Sequence, residues 1–296
     1  MNEVIVAEGL TKYYNERLGV EDVSFSVRKG EVFGYLGPNG AGKTTTIRLL
    51  LGLLRPTRGR ALVLGVDSRD DSRMAEIKAR LGFLPEEFGF PRGLRGREIV
   101  KHFANIRGGA PRLDELLSLF PLDLNKRIEE YSKGMRQTLL IILTFMHDPE
   151  VVILDEPTTG LDPLMRDRFL TFLKNEVQKG KTVFLSSHVL SEVQKVADRV
   201  CLIKGGKIIA LESLNSILSK SGKIIKALLR EPLSPRKLEG EVGVVKVRVL
   251  GDGREVEMIV RSGYSQVLEV LAEHHIEDIE VRNITLEELF LHFYER

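Results

Sequence analysis

GPNGAGKT, residues 37–44, decides how this chain is read. It follows EVFGYL, an apolar run with strand character, and passes directly into TTIRLLLGLL, a run with helical character. The octapeptide fits G-x-x-x-x-G-K-S/T, a pattern that carries weight only between a strand and a helix, which is its context here. Gly37, Gly40 and Gly42 let the backbone curl so that successive N–H groups face phosphate oxygens. Lys43 supplies a point charge for the β- and γ-phosphates, and Thr44 a hydroxyl for Mg2+, which demands octahedral oxygen ligands. Pro38, Asn39, Ala41 and Thr45 complete the candidate nucleotide-binding stretch.

A second stretch, VVILDEP at 151–157, supplies carboxylates. It reads as a strand buried on both faces of a parallel sheet. Ligands of such sheets bind beyond the carboxyl ends of the strands, which is where Asp155 and Glu156 fall. Asp155 would hold the metal, directly or through water, and Glu156 would orient or deprotonate an attacking water. Together the two stretches predict a P-loop nucleoside triphosphatase.

Outward from these motifs, strands and helices alternate. VIVAEGL and VEDVSFSVRKG have the alternation of half-buried antiparallel strands. RALVLGVD and RLGFLPEE are short strands flanking the charged segment SRDDSRMAEIKA, and residues 93 to about 147 are mostly helical, broken at GGAP and YSKG. RDRFLTFLKNEVQKG reads as a helix, TVFLSSH as a strand and VLSEVQKVADRV as another helix, which predicts an α/β sheet with helices on its faces. After about residue 218 the character changes. VVKVRVL and REVEMIVR, joined by the hairpin signal GDG, are followed by a helix (SQVLEVLAEHHI), a strand (IEDIEVRN) and a closing helix (TLEELFLHFYER). This predicts a small α+β domain over 219–296 behind a larger domain over 1–218.

The 296 residues are 43% apolar and 29% charged, an ordinary globular balance, and the net charge of +2 predicts no general attraction to nucleic acid. MNEVIVAEGL has no basic leader or long apolar core, and no apolar run reaches membrane-spanning length, so a membrane role is expected to come through partners. Cys201 is the single cysteine, read as a small core residue of VCLIKGG, in keeping with a cytosolic setting.

YSKGMRQ, residues 131–137, raises a question of its own. Ser, Gly and cations before the helical run TLLIILTFM make a plausible second anion site. The order GPNGAGKTT, YSKGMRQ, VVILDEPTTGLDP, SSH resembles the ATP-binding subunits of ABC transporters over roughly residues 3–215. That resemblance implies a mixed sheet with an antiparallel β subdomain and a helical subdomain at about 88–147. It also implies Mg2+ and ATP as cofactors, and a second ATP-binding subunit packed head to tail. Ser132 and Gly134 match the signature segment that contacts the γ-phosphate bound by the partner; Tyr131, Lys133 and Met135 depart from its commonest form, and Lys133 adds a cation there or is simply a solvated lysine. His188 matches the histidine that contacts the γ-phosphate beside the attacking water, and Asp162 the aspartate that couples the two sites. Tyr14, with Tyr13 as its neighbouring alternative, matches the aromatic that stacks on adenine.

Glu86 stands where the family usually has Gln. It can ligate Mg2+ or water but cannot donate an amide hydrogen bond. Lys133, the wording GFLPE and the C-terminal appendage resemble the branch that exports drugs, lipids and antibiotics. The resemblance therefore implies an ATP-hydrolysing exporter subunit on the cytoplasmic face of the cell membrane, working with integral membrane permease subunits. The segment around 86–130 would pass motion to them, either as a docking groove or as a solvated loop. A non-transport ABC ATPase acting on nucleic acid or ribosomes is the alternative. It sits poorly with the charge balance and with a stretch between Glu86 and Ser132 too short for a coiled-coil arm. A regulatory nucleotide binder without hydrolysis fits badly with Glu156 and His188.

Overall fold

The alternating N-terminal stretches pair antiparallel as β1 (Glu3–Tyr14) and β2 (Arg17–Arg28), with Ala7 opposite Phe25. Ile5, Ala7 and Leu10 are buried along one strand and Val23, Phe25 and Val27 along the other, as in strands wet on one face. β3 (Val32–Leu36), buried throughout, leaves this pair and runs through the glycine loop into α1 (Lys43–Leu50). β4 (Arg58–Val63) and β5 (Val66–Asp67) return to complete a four-stranded antiparallel sheet ordered β2-β1-β4-β5. The computed structural model describes residues 2–214, 216, 222–239, 243–284 and 288.

The charged segment that follows forms α2 (Asp71–Ile77), capped by Asp70, whose carboxylate accepts the N–H of Arg73. After β6 (Leu81–Leu84) the expected helical region holds α3 (Gly96–Arg107), α4 (Leu113–Leu119) and α5 (Lys133–Phe145), with one 3-10 turn at Ile128–Glu130. Then come β7 (Val151–Asp155), α6 (Pro163–Gln178), β8 (Thr182–Ser187), α7 (Leu190–Val196), β9 (Arg199–Lys204) and β10 (Lys207–Ser213).

A six-stranded sheet ordered β10-β9-β3-β8-β7-β6 results, parallel from β9 through β6. Its β3, β8 and β7 are adjacent, so the ends of the strands leading to the glycine loop, to His188 and to Asp155–Glu156 lie side by side. The two sheets enclose one apolar core, with Phe25 stacked on Phe33 at 5.3 Å and Phe184 5.8 Å from each; Ile47, Leu49 and Leu50 of α1 belong to that core.

The helix expected over VLSEVQKVADRV ends early, at Val196. Asp198 accepts the N–H of Val32 at 2.8 Å, and Arg199 and Val200 join the parallel ladder opposite Phe33 and Gly34. Hydrogen-bonding demand of the central strand thus overrides local helical pattern.

The chain divides into two compact units, Met1–Glu212 and Ser213–Arg296. The second contains β11 (Lys223–Leu229), α8 (Pro235–Glu239), β12 (Val244–Leu250), β13 (Glu255–Val260), α9 (Tyr264–Glu273) and β14 (Ile276–Asn283). Its sheet is antiparallel, ordered β12-β13-β11-β14, the split β-α-β arrangement. Ile225, Ala227, Met258 and Val260 pack with Val267 and Leu271 of α9. The closing helix expected over TLEELFLHFYER lies outside the described residues except for Glu288, which pairs with Arg282 at 2.6 Å.

Candidate active site

The loop after β3 closes on itself through the N–H of Ala41 to the carbonyl of Pro38, and is tied down by the N–H of Gly206 to the carbonyl of Ala41. Gly42 sits at φ +107°, and a Cβ there would lie 2.6 Å from Val20 Cγ1 and 2.8 Å from the Gly19 carbonyl, so only glycine fits. Gly42 is also the cap of α1 and offers no side-chain bond, which leaves the first N–H groups of that helix for a ligand. Lys43 is buried. Its Nζ donates to the carbonyls of Gly37 (2.7 Å) and Pro38 (3.2 Å) and lies 3.1 Å from Glu156 Oε1. Asn39, Gly40, Gly42, Lys43, Thr44 and Thr45 line a cavity of about 520 Å³ together with Tyr14, Glu86 and Glu156.

Asp155 and Glu156 leave β7 in different ways. Asp155, 1% exposed, accepts from Ser186 Oγ at 2.5 Å and has the Thr44 hydroxyl nearby. Burial raises its pKa and the Glu156 charge adds to the rise, against the effect of those two hydroxyls. Glu156 occupies the left-handed region at φ +49°, a conformation that costs a non-glycine residue about 1–3 kcal/mol and needs fixed surroundings. Its N–H meets the Ser186 carbonyl and Oγ, each at 3.2 Å. The turn aims the carboxylate between two nitrogens: Oε1 faces Lys43, and Oε2 lies 2.8 Å from His188 Nδ1.

The Glu156 carboxylate is thus buried, with a cation on one oxygen and an imidazole on the other. Thr44, Asp155 and Glu86 offer only oxygen donors, a set suited to a hard dication. Glu86 is itself held above the usual carboxylate range, by burial first and then by the charges of Asp155 and Glu156.

Tyr14 and not Tyr13 lines the cavity. The Tyr13 hydroxyl is bonded to Glu21 Oε1 at 3.1 Å, whereas Tyr14 is 41% exposed, its hydroxyl 3.4 Å from Thr45 Oγ1. Ser132, Lys133, Gly134 and Asp162 gather elsewhere. Ser132 caps α5, its Oγ accepting the N–H of Met135 at 3.2 Å, and Ser132 and Lys133 are exposed. Asp162 caps α6 by accepting the N–H of Met165 at 2.9 Å. Tyr131 is buried and donates to the Asp123 carbonyl at 2.8 Å, so this departure from the commonest signature wording is a packing residue.

Sequence reasoning missed Ser186, which touches both carboxylate residues. Its signal is register: a polar residue facing Asp155 across the β7–β8 ladder.

The family described as ABC transporter matches residues 20–159. The ABC transporter ATP-binding protein YhcH of Bacillus subtilis, itself uncharacterised, is 32% identical over 298 residues, spanning 98% of this chain and 96% of its own. The chain belongs to the ABC transporter ATP-binding proteins. As an ABC ATPase it also resembles the daunorubicin resistance ATP-binding protein DrrA3 of Streptomyces coeruleorubidus, 34% identical over 97% of this chain and 95% of the other. The bacitracin transport ATP-binding protein BcrA of Bacillus licheniformis is 36% identical, over 78% and 76%. Among solved structures, an ATP-binding subunit of an ABC transporter covers 72% of this chain and 91% of its own, with 30% identity and a TM-score of 0.67. A dimeric ATP-binding cassette bound to ADP and Pi shares the fold, with a TM-score of 0.64 and 23% identity over 71% and 98%. The chain is thus an ATP-hydrolysing subunit with the ABC-type P-loop fold. Among its described residues no helix is long and apolar enough to cross a membrane.

Proposed function

We propose that this ABC ATPase powers an exporter of drugs, antibiotics or lipids, acting at the cytoplasmic face of the cell membrane with integral permease subunits and a second ATP-binding subunit. In this reading residues 1–218 are the ATP-binding domain, about 88–147 its helical subdomain, and 219–296 an accessory domain. Residues 37–45 cradle the phosphates, Tyr14 stacks on adenine, Glu156 is the general base and His188 orients the base and the γ-phosphate. Thr44, Asp155 and Glu86 would hold Mg2+, which neutralises phosphate charge. Among the described residues no three His, Cys, Asp or Glu side chains converge as a preformed centre, so phosphate oxygens and water would complete its shell.

The observation that carries the reading is the division of the phosphate-binding parts. Lys43 and Glu156 lie 3.1 Å apart in the lining of one cavity and His188 meets Glu156 at 2.8 Å, while Ser132, Lys133 and Gly134 do not line that cavity and touch none of the three. A chain so arranged holds one complete cradle and half of another, and two chains placed head to tail complete both. Support for the exporter branch comes from full-length similarity to a daunorubicin resistance ATP-binding protein and from similarity to a bacitracin transport one.

Ser132→Arg tests this. Nucleotide binding by the monomer should stay within about twofold, while ATP-dependent dimerisation and turnover are lost, because the bulk and charge fall only on the partner's side. Loss of monomer ATP binding would instead place Ser132 in its own chain's cradle. Copurification from membranes with a polytopic protein supports the exporter assignment; capture of ribosomes or DNA with no membrane partner overturns it.

A further inference from the structure

Two polar side chains hold the turn that follows Glu156, and no role assigned above uses them. Gln137, buried on α5, donates from Nε2 to the Pro157 carbonyl at 2.6 Å. Thr158 donates from Oγ1 to Glu192 Oε2 at 2.6 Å; Glu192, buried on α7, also lies 3.1 Å from Arg166 Nε. The next contact is backbone to backbone. A Cβ on Gly134 would lie 2.9 Å from the Gly160 carbonyl, and Gly160, at φ +85°, has the Lys133 side chain 2.9 Å from its own Cβ position. The first two turns of α5 are therefore seated on the segment 157–160, immediately after a residue held in a left-handed conformation.

A strained backbone persists only where its surroundings over-determine it. On one side of Glu156 the determinant is Ser186. On the other it is the Pro157 carbonyl, and the side chain that fixes it belongs to the same helix whose start carries Ser132 and Gly134. We propose that Gln137 is a positioning residue: its bond to Pro157 holds the Glu156 carboxylate between Lys43 and His188, and so links each chain's signature segment to that chain's own base. Glu192, through Thr158, is the second point of the clamp. The inference rests on Glu156 being the base and on Ser132–Gly134 meeting the partner's nucleotide. It adds that a phosphate bound at α5 is felt within the same chain, one hydrogen bond from the base.

Gln137→Met keeps the length and removes the donor. It should lower kcat about tenfold, as expected when a reacting group is misplaced, with KM for ATP within about twofold. In a Glu156→Gln background the same substitution should change the residual rate by less than about twofold, because the carboxylate it positions is gone and effects on one unit do not add. An unchanged kcat in Gln137→Met, or the same decrement in both backgrounds, overturns the proposal. If Gln137→Met does not fold, Gln137→Leu replaces it, since it also fills the site without a donor; the same outcomes apply. A Glu156→Gln single variant that hydrolyses ATP normally would refute the base assignment itself, whatever Gln137→Met does.

Discussion

Two helix N-termini in this chain face outward with phosphate-binding residue types, and they are built in opposite ways. At α1 the capping residue is a glycine with no side chain to give, and the following lysine is buried against Glu156, which in turn meets His188. At α5 the cap is Ser132, which already satisfies the N–H of Met135, and its neighbour Lys133 is exposed. The first end keeps its donors open beside Glu156. The second spends one of its donors on its own cap. A helix end becomes a reaction site through what the sheet brings beside it: the first end has Glu156, at the end of β7, against its lysine, whereas the second meets the turn that follows.

That contrast breaks most visibly at Glu156. Glu156→Gln should cut turnover roughly 10²–10⁴-fold, as for loss of a general base, while ATP binding persists and an ATP-bound dimer accumulates. Hydrolysis at the normal rate would mean that the chemistry near α1 lies elsewhere and that the two helix ends differ less than their surroundings suggest. Steady-state phosphate release and size-exclusion chromatography with ATP read both outcomes.

The contrast also explains what could be read in advance. The cradle was legible because its parts are consecutive in the chain: GPNGAGKT fixes strand, loop and helix within a few residues. The joining of Lys43, Glu156 and His188 was legible only through the motif order, since it depends on β3, β8 and β7 lying side by side. Ser186 and Gln137 were not legible. Ser186 acts through lateral register with Asp155, and Gln137 reads as an ordinary polar residue near a helix start until α5 is packed against Pro157. The overrun of the helix at 189–200 has the same origin, because the ladder to β3 lies outside any local window. The antiparallel hairpin of the second unit was legible for the converse reason, its GDG turn being local.

A smaller effect sharpens the charge side of the contrast. Asp155 and Glu86 are both pushed above the ordinary carboxylate range, chiefly by burial and then by their acidic neighbours. For an acid whose folded pKa is raised, the charged form destabilises: the cost is absent below the unfolded pKa and full above the folded one. The nucleotide-free chain should therefore lose some stability as pH rises through that window above about 4, and a bound dication should restore it. Protons should compete with Mg2+ over the same window, so apparent Mg2+ affinity with ATP should fall as pH drops towards the ordinary carboxylate range, and Glu86→Gln should remove part of that fall. The nucleotide's own titration is common to both proteins, so the difference isolates Glu86. Identical pH profiles for the two would exclude Glu86 as a ligand and leave Thr44 and Asp155.

A further effect on binding concerns the rim of the α1 cavity. Tyr14 lines it and is partly exposed, with Lys12 Nζ 5.7 Å from its ring centre, whereas the Tyr13 hydroxyl is engaged by Glu21. An aromatic stack is worth about 0.5–1.5 kcal/mol beyond its buried area, so Tyr14→Ala should weaken ATP binding about three- to tenfold. Tyr14→Phe keeps the ring and should bind as the native chain does, because the contact to Thr45 at 3.4 Å is at the limit of a hydrogen bond. Stacking does not distinguish purines, so GTP should lose affinity in the same proportion. Equilibrium titration with a fluorescent nucleotide measures each of these affinities. A larger loss in Tyr13→Ala than in Tyr14→Ala would move the adenine to the other side of β1, since neighbouring strand residues face opposite ways.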